Sequence, residues 1–389
     1  MAKPTSFKQI AVSLAFVASA VMMSPQLVTA QAVAAAPATK AAKPKSQTPA
    51  RATAPRSTSS RNTALKNTAL KNTAAKKKAY SASTARARRA ALARARAEAR
   101  VRELRELQTP RFTVDEYGRE IPDVRAEAAV IYDPESGEVL WESHSKDERS
   151  IASITKVMTA LVFLESGAPV NQMVTVQRSD VARASTTYLR HGFQLTAEDL
   201  LNLLLVGSDN AAARALARIS PMGYEGFIES MNIRAKSLGL ESTTYADPSG
   251  LMAENTSSAY DQARLIAYAA ANERIGEIMR KTSYTTHVGK RMIQVNSTNQ
   301  IVRSGDIDVV AGKTGFISRS GYCLATLLRL PQSGKTVAFV VLGAKSNASR
   351  FWETRHLFNW MATRTKALLD GDFQNQQQQE EEQLLVLNF

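Results

Sequence analysis

Cysteine is almost absent from this 389-residue sequence, which contains only Cys323. One cysteine can form neither an intrachain disulfide nor a cysteine-based zinc site. Histidine, the other common zinc ligand, never occurs as an H-E-x-x-H pair. Its four positions are widely separated: His144, His191, His287 and His356. The sequence therefore predicts no metal site and no resident cofactor.

Acidic residues are also scarce, but only in the first part of the chain. Residues 1–110 contain 21 Lys and Arg against three Asp and Glu, a net charge of +18, whereas the whole chain carries +15. The remaining residues are therefore close to neutral. The basic balance belongs to an N-terminal tail and not to the globular part, and we expect no nucleic-acid partner for this protein.

The N-terminal apolar run is too short for a comfortable membrane span. It covers residues 10–23, follows Lys3 and Lys8, and has the length of a signal-peptide core. Small residues up to Ala30 offer a cleavage site. We expect a signal peptide over residues 1–30, cleaved after Ala30, with an uncleaved signal anchor as the alternative. Export of a chain without disulfides fits the periplasm of a bacterial envelope.

Large apolar side chains are rare in residues 31–79, which repeat the sequence NTALK and are rich in Ala, Thr, Lys, Pro and Ser. We expect residues 31–110 to form a disordered basic tail, with helical potential in the Ala/Arg-rich residues 81–107. This tail either binds anionic envelope polymers or is an inert spacer. Residues 371–389 are Gln/Glu-rich, and we expect a second low-complexity tail there.

Residues 111–370 have ordinary composition and form the predicted globular domain. Apolar hairpin patterns occupy residues 128–142 and 322–342, and helical patterns begin near Ser153, Thr196 and Asp209. The order is strands, many helices, strands and a final helix. This order predicts a mixed α+β domain whose antiparallel sheet gathers both ends of the chain.

Three short motifs follow one another in this domain. They are Ser153-Ile-Thr-Lys156, Ser208-Asp-Asn210 and Lys313-Thr-Gly315. A second S-x-x-K, Ser143-His-Ser-Lys146, lies in a charged stretch, whereas Ser153 opens an apolar helical run. Each motif alone is weak evidence, but all three motifs in this order are rarely found by chance.

The chemistry of these residue types is that of an activated serine. Residues i and i+3 share a helix face, so Lys156 can reach the Ser153 hydroxyl. A lysine acts as a base only if burial or a nearby positive charge lowers its pKa, and Lys313 could supply that charge. Ser208 could relay protons, and Asn210 could hold a substrate amide. The strand before Lys313 could pair with a peptide substrate.

The same residues also allow simpler interpretations. Ser208 and Asn210 fit a helix N-cap cluster, which is compatible with a catalytic role. A phosphate-binding P-loop at Lys313 needs glycine where Ile307 stands. No serine of the motifs lies in G-x-S-x-G, and Cys323 lies in an apolar strand typical of packing.

The three motifs resemble those of the active-site serine penicillin-binding proteins and class A β-lactamases. Four segments are closer still to the low-molecular-mass D,D-peptidases: SITKVMTA (153–160), LLLVGSDNAA (203–212), DPSGL (247–251) and GKTGF (312–316). The resemblance covers about residues 125–368. Because the sequence ends soon after the predicted final helix, its build is most similar to the D-alanyl-D-alanine endopeptidases, which cut peptidoglycan cross-links.

This resemblance implies the penicillin-binding/β-lactamase-like transpeptidase fold, an antiparallel sheet flanked by helices with an inserted all-helical subdomain. It implies an acyl-enzyme on Ser153, with Lys156 as proton acceptor. Ser208 and Asn210 are implied to act in the second motif. The expected partners are peptidoglycan peptides as substrates and β-lactam antibiotics as covalent inhibitors.

The third motif is implied to bind substrate. Lys313 and Thr314 are expected to hold the substrate carboxylate, and Gly315 and Phe316 to continue the substrate-binding strand. The backbone N–H groups of Ser153 and Phe316 are expected to form the oxyanion hole. Three alternatives remain: a D-alanyl-D-alanine carboxypeptidase, a β-lactamase, which lacks a convincing E-x-x-L-N segment here, and a weakly active wall-binding scaffold.

Overall fold

The computed structural model describes residues 62–387, with side-chain detail for residues 83–106 and 108–371. The predicted signal peptide and residues 31–61 of the basic tail lie outside this part. The chain divides into two units, residues 1–80 and 81–389, and the first contributes only the start of a helix to the described part. Within the described residues, no helix is both long and apolar enough to cross a membrane.

The first described element is helix α1, Asn62–Gln108, whose side chains are nearly all exposed from residue 83 onward. It begins well before the Ala/Arg-rich segment that we expected to be helical, and includes residues assigned above to disorder. Ala, Lys and Arg have high helix propensity, and the 62–108 stretch contains no proline. Low apolar content excludes a packed core, but it does not exclude an extended solvated helix.

The remaining helices follow in chain order. They are α2 Lys156–Glu165, α3 Arg178–Val181, α4 Ala197–Leu205, α5 Asn210–Ile219, α6 Gly223–Ser237, α7 Ala259–Ala270, α8 Glu273–Arg280, α9 Gln300–Ser304 and α10 Asn347–Leu387. A 3-10 turn, Ala152–Thr155, directly precedes α2.

The strands in the described residues are mostly short, and three near the end of the chain are long. They are β1 Phe112–Val114, β2 Glu120–Pro122, β3 Ala128–Tyr132, β4 Val139–Ser143, β5 Arg149–Ser150, β6 Met173–Thr175, β7 Gln194–Thr196, β8 Thr256–Ser257, β9 Ser283–Val288, β10 Arg291–Asn296, β11 Val309–Ile317, β12 Gly321–Arg329 and β13 Thr336–Ala344.

The central sheet is antiparallel, with strand order β11-β12-β13-β3-β4. Strand β13 pairs with β3 in the register Val340 to Val130, so the sheet joins the start and the end of the domain. Because side chains alternate along a strand, one face packs with α7 and the other with α10, where the Phe339 and Phe358 rings meet edge to face. The α+β prediction is confirmed.

A helical layer lies between β4 and β11 in the chain and centres on α2. Residues 156–163 of α2 are all buried, because α4, α5 and α6 pack around this helix. Thr196 caps α4 in a capping box with Asp199, and Asp209 caps α5, at the helix starts that the sequence predicted. These caps fix where α4 and α5 begin, and the start of α5 carries the second motif.

Helix α10 ends at Leu387 and passes through the segment that we expected to be a low-complexity tail. Gln, Glu and Leu are good helix formers, and no proline interrupts residues 347–387. The helix that packs on the sheet up to Ala362 therefore continues beyond its apolar contacts.

Candidate active site

Ser153 and Lys156 lie at the junction of the 3-10 turn and α2. Lys156 is fully buried, and its Nζ lies 2.8 Å from Ser153 Oγ. The same Nζ donates hydrogen bonds to Asn210 Oδ1 at 2.6 Å and to the Ser249 carbonyl at 2.5 Å. The turn begins at Ala152, whose φ of +48° is unusual for a residue with a side chain.

Burial lowers the pKa of Lys156 to about 7. The carboxylates of Asp247 and Asp209 oppose this effect, and the positive charge of Arg214 adds to it. A large fraction of this lysine is therefore a neutral amine near neutral pH, which is the form that can accept a proton from a serine.

The second motif opens helix α5. Ser208 has a φ of +57°, and its Oγ accepts a hydrogen bond of 2.8 Å from Lys313 Nζ. Asn210 is buried, and its Nδ2 donates to the Ala184 carbonyl at 2.7 Å. The amide oxygen of Asn210 is thereby turned toward Lys156.

The third motif lies in β11, at one edge of the central sheet. Lys313 is buried, and its pKa falls well below the ordinary value because of burial and the neighbouring positive charges of Lys156 and Arg350. Thr314 Oγ1 donates to Thr298 Oγ1 at 2.7 Å. The strand thus places one amine and one hydroxyl beside the first two motifs.

Gly315 allows β11 to approach the 3-10 turn closely. A Cβ at this position would lie 2.5 Å from the Ile151 carbonyl oxygen, closer than real contacts allow. Gly250 lets a second segment approach the same turn, because a Cβ at this position would overlap the Ala152 carbonyl group. Two glycines therefore make close backbone contacts with the turn that carries Ser153.

These groups meet at an open cavity of about 430 Å³. Six of the eight predicted site residues line it: Ser153, Ser208, Asn210, Thr314, Gly315 and Phe316. The other two, Lys156 and Lys313, are buried beneath it. Phe316 is 48% exposed and stacks on Tyr322 with ring centroids 4.2 Å apart. The structure brings all eight residues together.

Sequence reasoning missed the groups that support Lys156. In the segment DPSGL, whose sequence indicated only a family resemblance, Ser249 supplies a carbonyl to Lys156 and Asp247 organises the turn. The Asp247 carboxylate accepts hydrogen bonds from the backbone N–H groups of Ser249, Gly250 and Met252. Aspartate followed by Pro-Ser-Gly is turn chemistry, and this was the available signal.

Arg350, at the start of α10, was also missed. Its guanidinium donates to the carbonyls of Gly315 at 2.9 Å and Cys323 at 3.2 Å, and it borders the cavity. Burial lowers the pKa of Arg350 to about 10. Thr298, Ser185 and Thr186 line the cavity as well, and no motif marked them.

The alternative candidates for catalytic residues, the second S-x-x-K and Cys323, lie in different environments. Lys146 is exposed, and Ser143 ends the outer strand β4. Cys323 is buried in β12, and burial raises the pKa of its thiol, which makes it a poor nucleophile. Among the described residues, no group of three or more His, Cys, Asp and Glu could hold a metal ion.

Comparisons with known proteins identify similar chains. The D-alanyl-D-alanine endopeptidase of Escherichia coli (strain K12) is 32% identical, over 62% of this chain and 79% of its own length. The D-alanyl-D-alanine endopeptidase of Haemophilus influenzae is 35% identical, over 58% and 78%. Penicillin-binding protein D2 of Listeria monocytogenes, solved in its cefotaxime-bound form, matches with a TM-score of 0.55 and 27% identity, over 62% of this chain and 98% of that chain.

The assignment of the chain to a family comes from a match to a family model. The model of the Peptidase S11 family, described as D-alanyl-D-alanine carboxypeptidase, matches residues 113–346. This match covers the sheet, the helical layer and all three motifs. The predicted fold and family are confirmed, and the chain belongs to the Peptidase S11 family of serine D-Ala-D-Ala peptidases.

Proposed function

We propose that this protein is a serine D,D-endopeptidase that cleaves D-alanyl cross-links in peptidoglycan through an acyl-enzyme on Ser153. The observation that carries the proposal is the environment of Lys156, a buried amine of lowered pKa in contact with the hydroxyl of an accessible serine. The family and the relatives named endopeptidases support the choice of substrate.

Acylation begins from neutral Lys156. A neutral amine has two N–H groups and one lone pair, and the carbonyl oxygens of Asn210 and Ser249 accept the two N–H groups. The lone pair then faces Ser153 and takes its proton as Oγ bonds to the D-alanyl carbonyl carbon. The electrons of the C=O bond move to the oxygen, which the N–H groups of Ser153 and Phe316 stabilise.

The acyl-enzyme forms when the C–N bond breaks. The leaving amine takes the proton held by Lys156 by way of the Ser208 hydroxyl. Lys313 and Thr314 hold the substrate carboxylate, with the positive charge of Arg350 behind β11. Water then attacks the acyl carbon while Lys156 takes its proton, and that proton returns to Ser153 as the ester bond breaks.

A D-alanyl-D-alanine carboxypeptidase is the closest alternative, because it uses the same steps and differs only in the leaving group. The family description favours it, whereas the names of the relatives reported above favour the endopeptidase. Purified protein should be given a cross-linked peptide dimer and a pentapeptide monomer in parallel. Faster cleavage of the dimer supports the endopeptidase, and faster release of D-alanine from the monomer contradicts it.

Covalent labelling with a fluorescent penicillin tests the serine chemistry itself. We expect stoichiometric labelling of the wild type and none of Ser153→Ala. The chain supplies a matched control in Ser143→Ala, which changes the serine of the other S-x-x-K and should label normally. Labelling that persists in Ser153→Ala would overturn the assignment of the nucleophile.

We also propose a periplasmic location after cleavage at Ala30, which sequencing the N-terminus of the secreted protein would test.

Helix α1 is proposed to bind anionic envelope polymers. At 100° per residue, Arg86, Arg88 and Arg89 point in three different directions, so the charge surrounds the helix rather than facing a membrane. Deleting residues 31–107 should abolish salt-sensitive binding to isolated cell walls, and unchanged binding would favour an inert spacer.

A further inference from the structure

One face of helix α5 holds a segment that borders the cavity by its Ser185 and Thr186. Asn210, Arg214 and Arg218 are spaced four residues apart, so they lie on the same side of the helix. We call residues 182–188 the cleft wall. Arg218 forms an ion pair of 2.7 Å with Asp180 just before this wall, and Arg214 Nη1 donates to the Ala182 carbonyl at 2.5 Å.

The start of α5 makes further hydrogen bonds to alternate residues of the cleft wall. Asn210 Nδ2 donates to the Ala184 carbonyl at 2.7 Å, and the Asn210 backbone N–H donates to the Thr186 carbonyl at 3.0 Å. Asp209 then accepts from the Tyr188 backbone N–H at 2.6 Å. The first residues of α5 therefore hold the whole wall by its backbone.

The backbone of the cleft wall requires such support. Arg183 and Ser185 have φ values of +53° and +57°, a left-handed conformation that residues with side chains rarely adopt. Between these two residues lies Ala184, whose carbonyl accepts from Asn210. Ser185 and Thr186 line the cavity that contains Ser153. A strained segment therefore both lines the cavity and orients the Asn210 side chain, which contacts Lys156.

We propose that Arg214 is a positioning residue for acylation, which holds the cleft wall so that Asn210 stays aligned with Lys156. The chain of contacts runs from Arg214 to the Ala182 carbonyl, through Ala184 to the Asn210 amide, and from Asn210 Oδ1 to Lys156 Nζ. Without Arg214, the wall can relax at Arg183, and the Asn210 amide loses its anchor. This inference rests on the proposed acyl-enzyme chemistry.

The positive charge of Arg214 predicts a second, independent effect, which is on the pKa of Lys156. Four charged groups act on or near Lys156: Asp209 and Arg214 on α5, Asp247 in the turn before β8, and Lys313 on β11. The two carboxylates favour the ammonium form, whereas Arg214 opposes it. Removing Arg214 therefore raises the pKa of Lys156 and moves the acidic limb of the acylation rate to higher pH.

The test measures the second-order rate of fluorescent-penicillin labelling from pH 5 to 9. Arg214→Ala should lower the plateau rate about tenfold and raise the midpoint of the acidic limb by about half a pH unit. Arg214→Lys keeps the charge but loses the planar fork, so its midpoint should match the wild type while its plateau is only partly restored. An unchanged plateau and midpoint in Arg214→Ala would overturn the proposal.

Arg264 provides the matched control. Its guanidinium also holds backbone carbonyls, those of Leu238 and Gly239, and it does not line the cavity of Ser153. Arg264→Ala should leave the profile unchanged, and the same change as in Arg214→Ala would overturn the proposal. If Arg214→Ala does not fold, the plateau of Arg214→Lys decides, since a wild-type plateau contradicts positioning. Absence of wild-type labelling would instead overturn the proposed function.

Discussion

Two S-x-x-K segments lie ten residues apart in this chain, and they have opposite environments. Lys156 is buried and in contact with its serine, whereas Lys146 is exposed and has its Nζ 6.0 Å from the centre of the Tyr260 ring. Ser153 lies in the 3-10 turn that leads into the buried helix α2, whereas Ser143 ends β4 at one edge of the central sheet. The spacing of the motif permits the contact, but burial and carbonyl acceptors from distant segments turn the lysine into a base.

The largest expected effect separates the two lysines directly. Lys156→Met removes the proton acceptor, so we expect the labelling rate with penicillin to fall about a thousandfold. Lys146→Met makes the same chemical change at the exposed site and should label at the wild-type rate. A comparable loss in both variants would show that the environment does not distinguish these lysines.

A smaller effect is expected from the glycine that lets β11 approach Ser153. Gly315→Ala places a methyl group against the Ile151 carbonyl and displaces the turn, so the labelling rate should fall about a hundredfold. Gly371→Ala, at a helical glycine with open space around it, is the control and should leave the rate unchanged. A wild-type rate in Gly315→Ala would show that the turn does not depend on this close approach.

The pH dependence of the labelling rate in the wild type should report the protonation state of Lys156. Because the neutral amine is the active form and its pKa is about 7, the labelling rate should rise with pH and level off above that value. Below it, the rate should fall about tenfold for each pH unit. An acidic limb near the ordinary pKa of lysine would contradict the effect of burial.

The smallest expected effect concerns the sign of one neighbouring charge. The Asp247 carboxylate favours the ammonium form of Lys156, so Asp247→Asn should move the acidic limb downward by about half a pH unit. This is the opposite of the shift expected for Arg214→Ala. The plateau rate should also fall, because the turn that holds Ser249 is weakened, and the limb position is therefore the measurement to compare.

The sequence could predict the parts of the site that depend on local geometry. Ser153 and Lys156 are three residues apart, and Thr196 and Asp209 are ordinary helix-capping residues, so helix spacing and capping preferences were sufficient for them. The hairpins of the central sheet were equally local. These features need no knowledge of how distant segments meet, and the structure agrees with each of them.

The remaining features depend on contacts across long stretches of chain. The Ser249 carbonyl reaches Lys156 across 93 residues, and Ala184 reaches Asn210 across 26. Backbone carbonyls have no signature in a sequence, so these partners could not be predicted. Arg350 was missed because a basic residue at the start of a helix is usually exposed to solvent. The lengths of α1 and α10 were underestimated, because apolar periodicity disappears where a helix leaves the core.

The pairing of β3 with β13 has a consequence for the timing of folding. Strand β3 must remain without this neighbour until nearly all of the domain has been synthesised, because β13 begins at Thr336. Sheets that depend on such distant pairings form slowly, since much chain entropy is lost before the contacts compensate for it. Lys313 lies on β11, in the same late group of strands. Assembly of the sheet and assembly of the nucleophile's surroundings are therefore one cooperative event, and a chain that lacks its final strands has a serine but no active site.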